Sequence, residues 1–300
     1  MNKNFDFLVI QFLNNFYVIE NIMNEKTYLA TLRGKMRLNI TPKVGDFVEA
    51  TIIDNNKAII SDVEERKNNF ERPNVANIDN IFIIMSFLEP HFDPNFVNKL
   101  LLQFEINNLK PVIIASKNDL EHELIIDIWM KMYRKMGYKV HSISNLKNQS
   151  WSKLKKYFGN GKLLFTGKSG VGKTTLINNV YPKLNLQIGA ISEKLKQGKH
   201  TTRHSSLIKI EKNVWIIDTP GFSLIDLNEY SKEELAKGYF VFREHIDKCK
   251  FANCTHTNEP GCEIKKQVGN KIPEFFYQSY LLIMDEKQNQ TKFSPRNKLK

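Results

Sequence analysis

In the N-terminal part of the chain, short runs of β-branched and aromatic residues alternate with turn-forming clusters. Strands are predicted at 5–19, 27–32, 35–40, 47–53 and 58–63. Asn14-Asn15, Gly34, Val44-Gly45-Asp46 and Asp54-Asn55-Asn56 supply the breaks. About five short strands in one small segment suit a barrel of the OB-fold type. An SH3-like barrel would carry much the same pattern. The charge run Glu64-Glu65-Arg66-Lys67 then leads through polar residues to Arg72-Pro73, which reads as a linker.

Beyond that point the period changes. Apolar runs at 78–87, 111–115, 138–143, 162–166 and 214–217 read as buried strands. Helical patterns intervene at 94–107, 121–136, 150–157 and 173–180. Such alternation predicts a mostly parallel sheet covered on both faces. From Ser231 the pattern is helical, then cysteine-bearing, then helical again over about 273–287. The expected domains are therefore 1–68, a barrel; 69–228, an α/β domain; and 229–300, mainly helical.

Composition adds a partner class. The chain of 300 residues carries a formal charge of +12, which favours a polyanion. No apolar run approaches the roughly 20 residues that span a bilayer, and the N-terminus lacks the pattern of a signal peptide. A cytoplasmic protein without membrane attachment is expected. The three cysteines, Cys249, Cys254 and Cys262, fall in one segment, which in a reducing compartment points to metal rather than disulfides.

Gly167-Lys168-Ser169-Gly170-Val171-Gly172-Lys173-Thr174 fits G-x-x-x-x-G-K-S/T, with a buried strand before it and a helix opening at Thr175 after it. Glycines let the backbone amides and the helix N-terminus face phosphate oxygens. Lys173 is expected on the β- and γ-phosphates and the Thr174 hydroxyl on magnesium. Asp218-Thr219-Pro220-Gly221 follows a second apolar strand and fits D-x-x-G, with Asp218 near magnesium and the Gly221 amide near the γ-phosphate. Ser116-Lys117-Asn118-Asp119 resembles the guanine motif N-K-x-D, with Ser at the first position. Asp119 would accept from two donors on guanine that adenine does not present, which disfavours ATP. Lys117 would cover the base, and Ser116 is expected to weaken contact with the base or with the phosphate loop. Ile143-Ser144-Asn145 lies where a second guanine-supporting loop would sit. The guanine motif precedes the phosphate loop, so the order is circularly permuted.

Between phosphate loop and D-x-x-G lies a basic stretch ending in Gly198-Lys199-His200-Thr201-Thr202-Arg203. Thr202, favoured over Thr201 on register, is expected to ligate magnesium in the GTP state. Phe222 stands where many GTPases carry a water-positioning Gln, so intrinsic hydrolysis is expected to be slow. His200 is the candidate catalytic group, brought in by a partner; a plain contact role fits it equally. Cys249, Cys254, His256 and Cys262 supply three thiolates and an imidazole, the ligand set of a closed structural zinc site.

Together these motifs resemble the ribosome small-subunit-dependent GTPase A family, bacterial GTPases of permuted order. The matching stretches run from Arg72-Pro73 to Asp79, then 116–119, 167–175, 198–202, 218–222 and 249–262, with Val44-Gly45-Asp46 in the barrel. Ser116, Asn145 and Arg203 depart from the family pattern. The resemblance implies an N-terminal OB-fold, a permuted P-loop GTPase domain and a C-terminal zinc domain. It also implies binding to the small ribosomal subunit and its rRNA, GTP hydrolysis stimulated by that subunit, and a role in late maturation. One structural zinc, magnesium with GTP and a monomeric state are expected. A P-loop ATPase or kinase, and a nucleotide-regulated RNA-binding module with little turnover, are the alternative readings.

Overall fold

The computed structural model describes residues 4–13, 15–34, 41–71, 73–120, 123–144, 151–184, 205–218 and 227–293. In chain order the strands are β1 (Phe7–Leu13), β2 (Phe16–Asn21), β3 (Thr27–Leu32), β4 (Phe47–Asp54), β5 (Lys57–Val63), β6 (Asn69–Phe70), β7 (Val75–Ala76), β8 (Asn80–Ser86), β9 (Val112–Ser116), β10 (Lys139–Ser142), β11 (Gly161–Thr166), β12 (Ser206–Glu211) and β13 (Val214–Asp218). The chain forms two compact units, Met1–Phe82 with Lys147–Leu224, and Ile83–Leu146 with Ile225–Lys300.

The first unit opens with a closed barrel. Its strands follow the order β1-β2-β3-β5-β4, and β4 pairs back onto β1. Neighbours are antiparallel except β3 and β5, which run parallel. This five-stranded order is that of the OB-fold, so the structure decides between the two barrels open at the level of sequence. Alternation along the strands sends Tyr17 and Ile19, Tyr28 and Ala30, and Ala58 and Ile60 into one core with Phe7, Val9 and Val48. The stretch expected as one strand over 5–19 is two, β1 and β2, with Asn15 in the left-handed region at φ 75°. The strand expected at 35–40 lies outside the described residues.

The segment read as a linker is packed. Arg66 donates to both carboxylate oxygens of Asp46, at 2.9 and 2.7 Å. Asn68 and Ile78 exchange two hydrogen bonds, at 2.8 and 2.9 Å. Gly45, at φ 96°, lies against the Ala76 carbonyl so closely that a side chain would collide with it. Two polar side chains thus tie the barrel to the strand that follows.

In the rest of this unit β11 and β13 run parallel, and β12 and β13 form an antiparallel hairpin turning at Asn213, φ 61°. Sequence reading missed β12. Its run Ser206-Leu207-Ile208-Lys209-Ile210-Glu211 carries one lysine and one glutamate, which weaken the apolar signal. Helices Trp151–Phe158 and Lys173–Val180 belong to the same unit. Phe158 packs on Phe82 and Phe165, with ring centroids 4.5 and 5.1 Å apart. Lys162 is buried at the start of β11. Its ammonium lies 4.4 Å from the Phe47 ring and 3.8 Å from Asp79. Burial pulls its pKa down, and Asp79 opposes that pull.

In the second unit β10 and β9 are parallel neighbours, with β8 on the other side of β9. Helix Pro94–Ile106 begins with Pro at its first turn and Asp93 accepting from the Phe96 amide at 3.2 Å. Helix Glu123–Lys135 follows, and Lys232–Gly238, Phe240–Arg243, Glu263–Gln267 and Glu274–Phe293 complete the unit. Ser231 caps the first of these four through a reciprocal bond with Glu234. Buried Asn98 joins three of the helices: it accepts from Tyr133 at 3.0 Å and donates to Ser279 at 3.0 Å.

Candidate nucleotide and metal sites

The phosphate-binding loop lies in the first unit. Buried β11 ends at Thr166, and the chain turns through Gly167 (φ 141°), Gly170 (φ 82°) and Gly172 (φ 91°) into helix Lys173–Val180. All three angles fall where side chains other than glycine are strained, which is why the spacing of glycines is needed. Lys173 donates to the carbonyls of Gly167 and Lys168, each at 2.8 Å, so its ammonium is folded over the loop. Burial pulls its pKa down to about 8. Thr174 is buried at the first turn of the helix. Because β11 and β13 are parallel, Gly167 and Asp218 emerge at the same edge of the sheet, the carboxyl edge where α/β folds place ligands. Gly221, Phe222, His200, Thr201, Thr202 and Arg203 lie outside the described residues.

The guanine-type motif lies in the second unit, at the end of β9. Ser116 is buried and donates to the Met85 carbonyl at 3.0 Å, a cross-strand bond to β8. Lys117 adopts φ 54°, an uncommon angle for a residue with a side chain and one that turns the backbone sharply out of the strand. The Asn118 amide donates to the Ile143 carbonyl at 3.2 Å, and its side chain donates to the Ser142 hydroxyl at 3.0 Å. The Asp119 carboxylate accepts a hydrogen bond from the Ser144 hydroxyl. Parallel β9 and β10 bring 119 and 144 to the same edge. Ser142 and Ser144 therefore brace the motif, a role the sequence hinted at only through a loose Ile143-Ser144-Asn145 match. Asn145 lies outside the described residues.

Cys249, Cys254, His256 and Cys262 converge in the second unit, their ligand atoms all within 4.8 Å of one another. His256 Nδ1 lies 3.7 Å from Cys249 Sγ and 3.4 Å from Cys262 Sγ. Those separations match the edges, about 3.3 to 3.8 Å, of a tetrahedron with metal–sulfur bonds near 2.3 Å and metal–nitrogen bonds near 2.0 Å. Burial pushes the Cys254 thiol up to about 12, and it also raises Cys262. Thiolates at these buried positions need a cation beside them, which is what a metal supplies. The donor set and geometry fit zinc. Left-handed His256 (φ 59°) aims its ring inward, and the Tyr277 and Tyr280 hydroxyls hold the carbonyls of His256 and Thr255 at 2.8 and 2.5 Å. Burial would raise the Glu259 carboxyl, but hydrogen bonds from Thr255, Thr257 and its own amide outweigh it and hold the pKa near 2. This carboxylate stitches the ligand loop together.

Two family models match the chain, RsgA N-terminal domain over residues 8–60 and RsgA GTPase over residues 63–228. The chain belongs to the RsgA GTPase family. Among curated relatives, "Small ribosomal subunit biogenesis GTPase RsgA" of Clostridium botulinum (strain Langeland) is 37% identical over 286 residues, covering 95% of this chain and 98% of the relative. "Small ribosomal subunit biogenesis GTPase RsgA 2" of Oceanobacillus iheyensis is 36% identical over 285 residues, 93% of this chain and 96% of its own length. The crystal structure of YjeQ from Thermotoga maritima superposes with a TM-score of 0.79 at 30% identity, covering 94% of this chain and 98% of that one. YloQ, described as a circularly permuted GTPase, gives 0.77 at 28% identity, with 97% and 96% covered. The RsgA family fold is therefore present: a permuted α/β GTPase domain behind an N-terminal barrel, with a Cys-His group near the C-terminus.

Proposed function

We propose that this chain is a GTP phosphohydrolase that binds the small (30S) ribosomal subunit, assists its late maturation and is stimulated by it. The observation that carries this reading is the RsgA match, which extends through both family models and nearly the full length of curated relatives named as small ribosomal subunit biogenesis GTPases. The net charge of +12 supports contact with rRNA, where phosphate attraction dominates affinity. In the same reading the protein works in the cytoplasm as a monomer, with domains at 1–68, 69–228 and 229–300.

In this reading the amides of 167–175 cradle the phosphates and Lys173 leaves its two carbonyls for the β- and γ-oxygens. Thr174, Asp218 and, in the GTP state, Thr202 would hold or face magnesium, which would neutralise charge on the phosphates. The Gly221 amide senses the γ-phosphate. Asp119, braced by Ser144, reads guanine, Lys117 covers the base, and Ser116 and Asn118 fix the loop. His200 joins the reaction when the subunit is bound. Cys249, Cys254, His256 and Cys262 would hold zinc in a closed structural site, four protein ligands leaving no position for chemistry. GTP hydrolysis titrated with purified small subunits tests the whole. Turnover should rise with subunit concentration; a flat titration refutes the reading. ATP should not displace labelled GDP.

A further inference from the structure

The barrel and the GTPase sheet of the first unit share a main-chain ladder. At the barrel mouth β1 pairs with β4 only over Phe7 and Leu8. A bulge then follows between Val9 and Gln11, where the strand changes direction. Past the bulge Gln11 pairs on one side with Val18 of β2 and on the other with Ser206 of β12. Ser206 in turn pairs with Asp218. One lateral row therefore runs from Val18 in the barrel through Gln11 and Ser206 to the aspartate of D-x-x-G. In the sequence, Ser206 also lies just after the basic stretch that carries Thr202.

A side-chain clamp sits beside this row. Lys209, opposite Trp215 in the hairpin, reaches Glu20 at the end of β2 at 2.9 Å and Glu25 in the following turn at 3.2 Å. Its ammonium also lies 5.6 Å from the Trp215 ring. Glu20 is nearly buried, so water replaces this partner poorly. The clamp ties β12 to β2, on the far side of β1 in the strand order, and so adds to the single rung described between β1 and β12.

We infer that Lys209 is a positioning residue that locks the barrel to Asp218 through β12, so that whatever the barrel binds is felt at the γ-phosphate end of the nucleotide site, and the reverse. The inference rests on the GTPase reading above and adds the route by which partner and nucleotide communicate. Coupling of this kind is reciprocal in binding free energy, so nucleotide state should change the barrel's own dynamics.

Amide hydrogen exchange on the full chain tests it without any ribosome. With GDP and with a non-hydrolysable GTP analogue, the peptide covering β1 should exchange at rates differing about fivefold or more. Lys209→Met should abolish that difference, Lys209→Arg should keep it, and GDP affinity should stay within about twofold in both. Glu20→Gln breaks the same clamp from the barrel side and serves if Lys209→Met folds poorly. A β1 peptide indifferent to nucleotide in the unmodified chain, or a difference that survives both clamp-breaking variants, overturns the inference. In a second arm, small subunits are added. Stimulated kcat should fall about fivefold or more in Lys209→Met, with KM for GTP and unstimulated turnover unchanged. Equal stimulation of variant and parent overturns the route. Absence of stimulation in the parent, with the exchange difference present, overturns the subunit reading and leaves the route standing.

Discussion

Replacing Ser144 by Ala asks whether Asp119 is held for guanine. The Ser144 hydroxyl donates to the Asp119 carboxylate from a completely buried side chain. A hydrogen bond to a charged acceptor contributes about 1.5–3 kcal/mol net. Only part of that enters nucleotide affinity, because Asp119 is itself half exposed and regains water in the free protein. What binding must then supply is the ordering of a freed side chain, about 0.5–1.5 kcal/mol. At 1.4 kcal/mol per tenfold, GDP affinity should fall about two- to twelvefold. The assay is titration with a fluorescent GDP analogue, repeated by competition with inosine diphosphate, which lacks the 2-amino donor. The parent should prefer GDP over inosine diphosphate, and Ser144→Ala should narrow that preference as well as weaken GDP. Unchanged GDP affinity, or an equal loss for both nucleotides, refutes the claim that this hydroxyl aims the carboxylate at the base.

Other outcomes follow from the same geometry. Lys173, with its pKa pulled down to about 8, is charged at neutral pH and loses its proton as pH rises. Phosphate binds the charged form, so GDP affinity should be flat from pH 6.5 to about 7.5 and fall toward tenfold per unit above about 8; Lys173→Arg, always charged, should remove the slope if it still binds. His200→Ala should spare GTP binding and abolish subunit-stimulated hydrolysis; unchanged stimulated turnover would end the proposal for His200. Cys254→Ser should lose stoichiometric zinc by elemental analysis and lower the melting temperature, since the ligand loop anchors Tyr277 and Tyr280 of the last helix. Retention of one tightly held zinc per chain would count against the four-ligand assignment.

How much of this was legible in the sequence depended on whether a constraint was local. The phosphate loop was readable because three glycines must adopt positive φ at fixed spacing, and no other residue type does so cheaply. The metal group was readable for a similar reason: all four ligands lie between Cys249 and Cys262, so short-range chain geometry alone brings them close. The barrel strands were readable from alternation, but alternation does not encode which strands pair. The OB order appeared only when β3 was seen beside β5 and β4 beside β1. The strand β12 escaped because Lys209 and Glu211 interrupt its apolar pattern, and their partners Glu20 and Lys155 are remote in sequence.

The guanine-type motif shows the same rule at single residues. Ser116 departs from the usual Asn, and from sequence alone that departure could only be read as a weakened contact. In the fold its hydroxyl has a different use, bonding the Met85 carbonyl across to β8 and fixing the end of β9 from within the sheet. An amide side chain stands two positions on, at Asn118, and it reaches Ser142. Ser142 and Ser144 are alternate residues around the end of β10, and with Ile143 between them accepting from the Asn118 amide, three successive residues grip one loop. A gripping arrangement of that kind leaves no mark in composition or periodicity, because serine is common at strand ends. It follows that Ser116→Asn should not by itself strengthen nucleotide binding: the larger side chain would have to fit where the Ser116 hydroxyl is now buried against Met85, and the loop is already held from the β10 side. A GDP affinity raised tenfold by Ser116→Asn would mean that the bracing from β10 is not what positions Asp119.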